Sequence, residues 1–194
     1  MRIGLFGGTF DPLHVGHLII AETVLSDFPL DQVLFIPVGI TPHKIEEDLS
    51  PAEIRLEMVQ SAIQHHTGFD VSPVEIESKN ISYTIDTIMW FKKTEKYHHD
   101  ELYLLMGSDS FLELDTWKDP DLILEEVHLL VVSRPGFEIR TIEERFQGKL
   151  SIVKGPLIDI SSSEIRHRVQ LGKSIRYWVP ESVEKIIFQK GLYH

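Results

Sequence analysis

The sequence feature that most constrains the fold is a polar, glycine-containing stretch between an apolar segment and a helical one. It reads Gly7-Gly8-Thr9-Phe10-Asp11-Pro12-Leu13-His14-Val15-Gly16-His17, after the apolar run 2–6 and before the breaker-free segment 18–25. The apolar run predicts a buried strand, and the segment after the stretch predicts a helix. In a parallel sheet the ligand crevice opens where a strand turns into the next helix. The stretch is therefore predicted to lie at the mouth of such a crevice.

The residue types in this turn favour a bound anion. Gly7 and Gly8 let backbone amides approach a phosphate closely, and Thr9 adds a hydroxyl. The unpaired amides and the dipole of the following helix favour negative charge at the same place. His14 and His17 are three positions apart, so they share one helix face and can point at one anion. The two common glycine signatures of nucleotide sites, GxGxxG and the loop ending in Lys-Ser/Thr, are absent.

A metal ion is an alternative ligand for the two histidines. His14 and His17, with Asp11 on the same side, offer the donor types that bind such ions. No further ligand cluster is evident in the sequence. We therefore predict no protein-held metal site.

Composition limits the class of protein. With 194 residues, 42% of them hydrophobic, the chain can bury one substantial core, and we expect a single domain over 1–194. No apolar run is long enough to span a bilayer and no signal-peptide pattern is present, so no membrane partner is expected. The lack of cysteine fits a reducing cytoplasm. The net charge of −11 argues against a nucleic-acid partner and requires the few phosphate-binding cations to gather locally.

Apolar runs alternate with helical segments along the chain. Strands are predicted near 2–6, 32–37, 69–77, 102–106, 128–132 and 150–153, with a short helix at 142–146. Such alternation is typical of an α/β, Rossmann-like fold: an open parallel sheet with helices on both faces. Cationic side chains follow the strand ends, and the fold would bring them together: His14, His17, Lys44, Arg134 and Arg166.

Two later segments carry further candidates. After the fourth predicted strand, Gly107 would permit close backbone approach, and Asp109 could accept hydrogen bonds from ribose hydroxyls. Ser161 and Glu164 form a capping box, which is a structural role. The amides and hydroxyls of the same helix start also face an anion, and Arg166 adds fixed charge.

Two motifs carry a resemblance to a known superfamily. The stretch 7–17 closely resembles the GxFDPxHxGH signature of the nucleotidyltransferases. The segment Ile160-Ser161-Ser162-Ser163-Glu164-Ile165-Arg166 resembles their ISSTxIR motif, with serine in place of threonine. The blocks Ser82-Tyr83-Thr84 and Gly107-Ser108-Asp109, the second followed by Trp117, resemble one branch, the bacterial nicotinate-nucleotide adenylyltransferases. The resemblance covers essentially the whole chain.

This resemblance implies an activity and its substrates. It implies transfer of the adenylyl group of ATP to nicotinate mononucleotide, with Mg²⁺, to give deamido-NAD and pyrophosphate. The chemistry would be in-line attack of the mononucleotide phosphate on the α-phosphorus, which needs no protein nucleophile. Catalysis then consists of positioning two anions and neutralising the charge that develops.

The resemblance, together with the strand-end positions, also predicts the residues on each side of the site. Catalysis is assigned to His14, His17, Lys44 and Arg166. Lys44 is also a candidate phosphate contact, and His43 beside it is a weaker one. The ATP side is predicted to comprise Gly7, Gly8, Thr9, Phe10, His14, His17, Gly107, Asp109, Arg134, Ile160, Ser161, Ser162 and Arg166. The acceptor side is predicted to comprise Thr9, Lys44, Tyr83, Thr84 and Trp117. Taken alone, Trp117 would be expected in the core; the resemblance instead implies that it stacks on the nicotinate ring.

Two alternatives remain at this stage. Phosphopantetheine adenylyltransferase is typically shorter and more often has threonine at the position of His14. A module that senses adenine nucleotides without turnover would have no need for both imidazoles. The sequence is also compatible with a homo-oligomer.

Overall fold

The computed structural model describes residues 1–40, 49–78, 80–133, 146, 148–156 and 158–194. Its strands form one six-stranded sheet in the order β3-β2-β1-β4-β5-β6. Every neighbouring pair in this sheet is parallel. The strands are β1 (Arg2–Gly8), β2 (Gln32–Pro37), β3 (Phe69–Val71), β4 (Glu101–Gly107), β5 (His128–Ser133) and β6 (Leu150–Lys154). The predicted open parallel sheet is confirmed.

The helices of the described residues alternate with these strands. They are α1 (Val15–Asp27), α2 (Ala52–Ile63), α3 (Val74–Glu77), α4 (Thr84–Lys93), α5 (Ser108–Leu112), α6 (Pro120–Glu126), α7 (Ser162–Gln170) and α8 (Glu181–Gln189). A 3₁₀ helix, Leu114–Thr116, lies between α5 and α6. None of the helices in the described ranges is both long and apolar enough to cross a membrane.

Helices cover both faces of the sheet, as predicted. Successive residues of a strand point to opposite faces, and β1 shows this directly. Leu5 belongs to the apolar cluster that contains Ile88 of α4, whereas Phe6 belongs to the cluster that contains Val24 of α1. A third cluster joins α2, α7 and α8 around residues such as Met58. The two helices α1 and α4 therefore approach the end of β1 from opposite sides.

The strand order places β1 in the middle of the sheet. The chain moves outward from β1 to β2 and β3, then returns to pair β4 with the other side of β1. Connections that leave in opposite directions from two adjacent strands open a crevice at the strands' carboxyl ends. This crevice is where the polar stretch after β1 and the Gly107 segment after β4 come together.

The sequence prediction was wrong at the third strand. A strand was predicted over 69–77, but β3 ends at Val71 and α3 begins at Val74. Pro73 has no N–H with which to continue the strand ladder, and it precedes the first turn of α3. The predicted helix at 142–146 lies outside the described residues, apart from Phe146.

Candidate active site

A cavity of about 350 Å³ opens at the carboxyl ends of β1 and β4. From the α1 face it is lined by Phe6, His17 and Ile20. From the α4 face it is lined by side chains that include Thr84, Thr87, Ile88 and Trp117. Many of the residues predicted from the sequence lie in its wall: Gly7, Gly8, Thr9, His17, Thr84, Gly107, Asp109 and Trp117.

The glycines at the strand ends have different roles. A Cβ atom built on Gly7 or on Gly107 would meet no protein atom within 4 Å. Packing therefore does not require glycine at these two positions, and the space beside them belongs to the cavity. A Cβ on Gly8 would lie 2.8 Å from the ring of Phe10, so Gly8 makes room for that ring.

The two histidines are held against each other at the start of α1. His14 is the N-cap residue with extended backbone, and it is 5% exposed. Its backbone N–H donates to Nδ1 of His17 at 3.2 Å, and the two rings stack with centroids 3.7 Å apart. Because Nδ1 of His17 accepts this hydrogen bond, the neutral ring carries its proton on Nε2. His17, in the cavity wall, can therefore act as a donor to a phosphate oxygen.

The Phe10 ring packs against His17 and helps to fix its orientation. The φ of Phe10, 49°, lies in the left-handed region, and its side chain is 2% exposed. The ring packs edge-on against His17 at 5.1 Å and against Phe6 at 5.7 Å. The ring therefore supports His17 from the core, and Phe10 is not in the wall of the 350 Å³ cavity.

The second motif docks on the first. Arg166 donates from Nη1 to the carbonyl oxygen of Asp11 at 2.8 Å, and the Ser162 hydroxyl donates to that of Pro12 at 2.9 Å. Ser161 caps α7 by accepting from the Glu164 N–H at 3.2 Å, so the capping role predicted for it is confirmed. The second motif lies beside the turn that carries His14 and His17, called here the histidine turn. Four of its residues are outside the wall of the 350 Å³ cavity: Ile160, Ser161, Ser162 and Arg166.

The α4 side of the cavity contains the residues predicted for the acceptor. Tyr83 is the N-cap of α4 and Thr84 its first residue, so the free amides of that helix start are near the cavity wall. Trp117 follows the 3₁₀ helix and is half-buried. Lys118 pairs with Asp86 at 2.9 Å and lies over the Tyr83 ring at 4.8 Å. Tyr83 itself lines an adjoining cavity that shares a wall with the first.

Other sequence candidates cannot be placed. His43, Lys44 and Arg134 lie outside the described residues. Within the described ranges, no group of three His, Cys, Asp or Glu side chains is arranged to hold a metal ion.

Comparison with known proteins identifies the family. The Cytidylyltransferase-like family matches residues 5–168. A protein of Dictyoglomus thermophilum named "Probable nicotinate-nucleotide adenylyltransferase" is 43% identical, and the alignment covers 100% of both chains. A protein of the same name from Desulfitobacterium hafniense is 42% identical, over 99% of this chain and 95% of its own. The chain belongs to the nicotinate-nucleotide adenylyltransferase family.

A solved structure of low sequence identity has the same fold. It is described as "Plasmodium falciparum nicotinic acid mononucleotide adenylyltransferase complexed with NaAD". The TM-score is 0.80 at 19% identity, over 99% of this chain and 97% of that chain. The Rossmann-like α/β fold predicted from the sequence is therefore also that of this adenylyltransferase.

In this member of the nicotinate-nucleotide adenylyltransferase family, sequence reasoning missed Glu75 in the cavity wall. The Glu75 carboxylate accepts a hydrogen bond from the Thr87 hydroxyl at 2.7 Å. Burial raises the pKa of the Glu75 carboxyl, and the hydrogen bonds from Thr87 and from the Gly39 backbone oppose that rise. Nothing in the sequence indicates that Glu75 lies in the cavity wall. The residues of α3 were predicted to be part of a strand.

Arg55 was also missed, although the sequence contains a signal for it. It is 2% exposed and donates to the carbonyl oxygens of Ser50, Thr9 and Gly39 at 3.0, 2.8 and 3.3 Å. Arg55 precedes the buried residues Met58 and Val59 by three and four positions, so it lies on the apolar face of α2. A charged residue on an apolar helix face indicates a specific partner in the interior.

We expect Gly39→Ala to lower stability and Gly7→Ala to lower activity. A Cβ on Gly39 would lie 2.1 Å from the backbone oxygen of Glu75, so the backbone must shift. Such overpacking lowers the free energy of unfolding by about 1–3 kcal/mol. In a chain of this size each kcal/mol lowers Tm by about 2–4 °C. Gly7→Ala should melt like the native protein but lower the kcat/KM of the reaction carried out in this cavity by about tenfold or more, because its methyl group would occupy the crevice.

Thermal melts and steady-state kinetics on the two variants test this expectation. A Gly7→Ala variant with native kinetics would show that ligands do not approach that strand end. A Gly39→Ala variant with the native Tm would show that Glu75 of α3 is not packed against Gly39 as described.

Proposed function

We propose that this chain transfers the adenylyl group of ATP to nicotinate mononucleotide and releases pyrophosphate. The observation that carries the proposal is the cavity between β1 and β4. It joins the histidine turn, suited to phosphates, to a wall of Thr84 and Trp117, suited to an aromatic acid. Membership in the nicotinate-nucleotide adenylyltransferase family supports the same reaction.

The reaction is a displacement at phosphorus. A phosphate oxygen of nicotinate mononucleotide attacks the α-phosphorus of ATP, and the bond between this phosphorus and the oxygen that bridges to the β-phosphorus breaks. The new bond completes deamido-NAD, and the electron pair leaves with pyrophosphate. The attacking oxygen is already ionised at neutral pH, so the protein has only to align two anions and stabilise the charge that develops.

The histidine turn is assigned to the ATP phosphates. His17 donates from Nε2 to the α-phosphate, and His14 holds the His17 ring in that orientation through its backbone N–H. Thr9 and Arg166 add a hydroxyl and a fixed charge, and Lys44 and Arg134 are assigned here from the sequence alone. Gly107 and Asp109 in the cavity wall are assigned to the adenosine, with Gly7, Gly8, the Phe10 backbone and Ile160, Ser161 and Ser162 on the same side.

The α4 wall is assigned to the acceptor. Trp117 stacks on the nicotinate ring, and the amides at the start of α4 with the Thr84 hydroxyl donate to its carboxylate. A helix N-terminus favours a carboxylate over a neutral carboxamide. Tyr83 closes this side from the adjoining cavity.

Magnesium is proposed to enter with ATP. Mg²⁺ usually keeps several waters and binds substrate phosphates with few protein carboxylates. The described residues fit this mode, because the cavity wall offers the Asp109 carboxylate without a cluster of three ligands. When bound, the ion would neutralise phosphate charge.

From the sequence we also propose that the protein works in the cytoplasm and has no nucleic-acid partner. The lack of cysteine fits the reducing cytoplasm. The net charge of −11 disfavours a nucleic-acid partner.

A pyrophosphate-release assay tests the proposed function. The purified protein is given ATP and Mg²⁺ with nicotinate mononucleotide, nicotinamide mononucleotide or phosphopantetheine. We expect rapid release with the first acceptor and formation of deamido-NAD. Release with phosphopantetheine alone would contradict the proposal. ATP binding without release for any acceptor would instead identify a nucleotide sensor.

A further inference from the structure

A buried polar network lies beneath the histidine turn. Its centre is the Asp11 carboxylate, whose residue is 1% exposed. One carboxylate oxygen accepts from the Ser50 N–H at 3.1 Å, and the other accepts from the Tyr193 hydroxyl at 2.5 Å. Buried charge is costly without such partners. The two donors therefore fix the position of Asp11.

Two arginine side chains also hold the backbone of the same turn. The carbonyl oxygen of Asp11 accepts from Nη1 of Arg166 at 2.8 Å, and that of Thr9 accepts from Arg55 at 2.8 Å. Asp11 thus connects two groups: Tyr193 through its side chain and Arg166 through its backbone. A displacement of Asp11 would move the guanidinium assigned to phosphate.

Tyr193 reaches this network from a distant part of the chain. It lies 182 positions after Asp11, in the segment that follows α8, and its ring packs against the cluster of α2, α7 and α8. Burial and then the Asp11 carboxylate raise the pKa of the Tyr193 hydroxyl, so it stays protonated and remains a donor. Tyr193 is not part of the cavity wall.

We propose that Tyr193 is a positioning residue for ATP: its hydrogen bond to Asp11 holds Arg166 in the orientation that binds the phosphates. This inference rests on the proposed function for the role of Arg166. It predicts that loss of one oxygen atom outside the cavity weakens ATP binding and leaves the acceptor site intact.

The test is Tyr193→Phe, which keeps the packed ring and removes the hydroxyl. We expect kcat/KM for ATP to fall roughly 10- to 100-fold, as for a displaced positioning group. KM for nicotinate mononucleotide at saturating ATP should change less than twofold. The matched control is Tyr103→Phe, which removes a hydroxyl that donates to Glu101 at 3.1 Å at the amino end of β4. This control should retain native kinetics.

A double-mutant cycle separates positioning from a purely structural role. If Tyr193 acts through Arg166, the loss caused by Tyr193→Phe should nearly vanish in an Arg166→Ala background. A structural role would only lower the folded fraction, so kcat would fall with both KM values unchanged and the losses would multiply. Either that pattern, native ATP kinetics or a failure of Tyr193→Phe to fold would overturn the inference.

A second readout keeps the inference separate from the proposed function. The Kd for ATP is measured by calorimetry without any acceptor, on the native chain and on both tyrosine variants. A native chain that binds ATP but transfers nothing would refute the proposed function. The ATP affinity of Tyr193→Phe would still decide the positioning role.

Discussion

Replacing His17 with alanine is expected to lower kcat for adenylyl transfer by about 10²–10³-fold with the fold intact. This is the usual loss when a positioned donor that stabilises developing charge is removed. The geometry supports so large an effect, because the His17 ring is fixed by the His14 N–H at 3.2 Å and by Phe10 at 5.1 Å. A fixed donor needs no reorganisation during the reaction.

Two further variants make this expectation specific. His17→Gln places an amide N–H near the position of Nε2, and we expect it to recover part of the lost rate. His65→Ala removes an exposed histidine beyond the end of α2 and should have native kinetics. Turnover is measured by pyrophosphate release, with circular dichroism as the check of folding. Near-native turnover in His17→Ala would refute the assignment.

The acceptor preference should be even larger. We expect kcat/KM for nicotinate mononucleotide to exceed that for nicotinamide mononucleotide by roughly 10²–10⁴-fold. The two compounds differ only in carboxylate against carboxamide, so shape cannot separate them. The N–H groups of the carboxamide would face the N–H donors at the start of α4. Each group left without a hydrogen bond would cost ~1–3 kcal/mol of binding free energy.

Two variants should divide this preference into its parts. Thr84→Ala removes a donor to the carboxylate and should lower the acid-to-amide ratio. Trp117→Ala removes a ring that serves both acceptors, so both kcat/KM values should fall and their ratio should hold. The measurement is kcat/KM for each acceptor at fixed ATP and Mg²⁺. If the amide matched or exceeded the acid, the pocket assignment for Tyr83, Thr84 and Trp117 would be wrong.

The sequence predicts what is determined locally. The strand, turn and helix around residues 2–25 follow from an apolar run, two glycines and a breaker-free segment, and the structure has all three. Five of the six strands were predicted close to their observed bounds, because apolar residues dominate each of these runs, as is typical of a parallel sheet. The third was extended too far, since the residues around Pro73 are also partly apolar.

Contacts between distant residues are not predictable in this way. The hydrogen bonds of Arg55 to Thr9 and of Tyr193 to Asp11 join residues 46 and 182 positions apart. Neither pair shares a strand or a helix, so no periodicity connects them. Phe10 shows a related limit: its place in the motif predicts a ligand contact, but its ring packs in the core against Phe6 and His17.

The packing of α1 and α4 against opposite faces of the sheet at the end of β1 has a consequence for how such enzymes diversify. The assignment of the ATP phosphates depends on α1 and α7, whereas the acceptor assignment depends on α4 and the tryptophan after the 3₁₀ helix. Substitutions on the α4 face can therefore exchange one acceptor for another while the phosphate chemistry on the α1 face is left unaltered. One phosphate-binding face can in this way be combined with different acceptor faces.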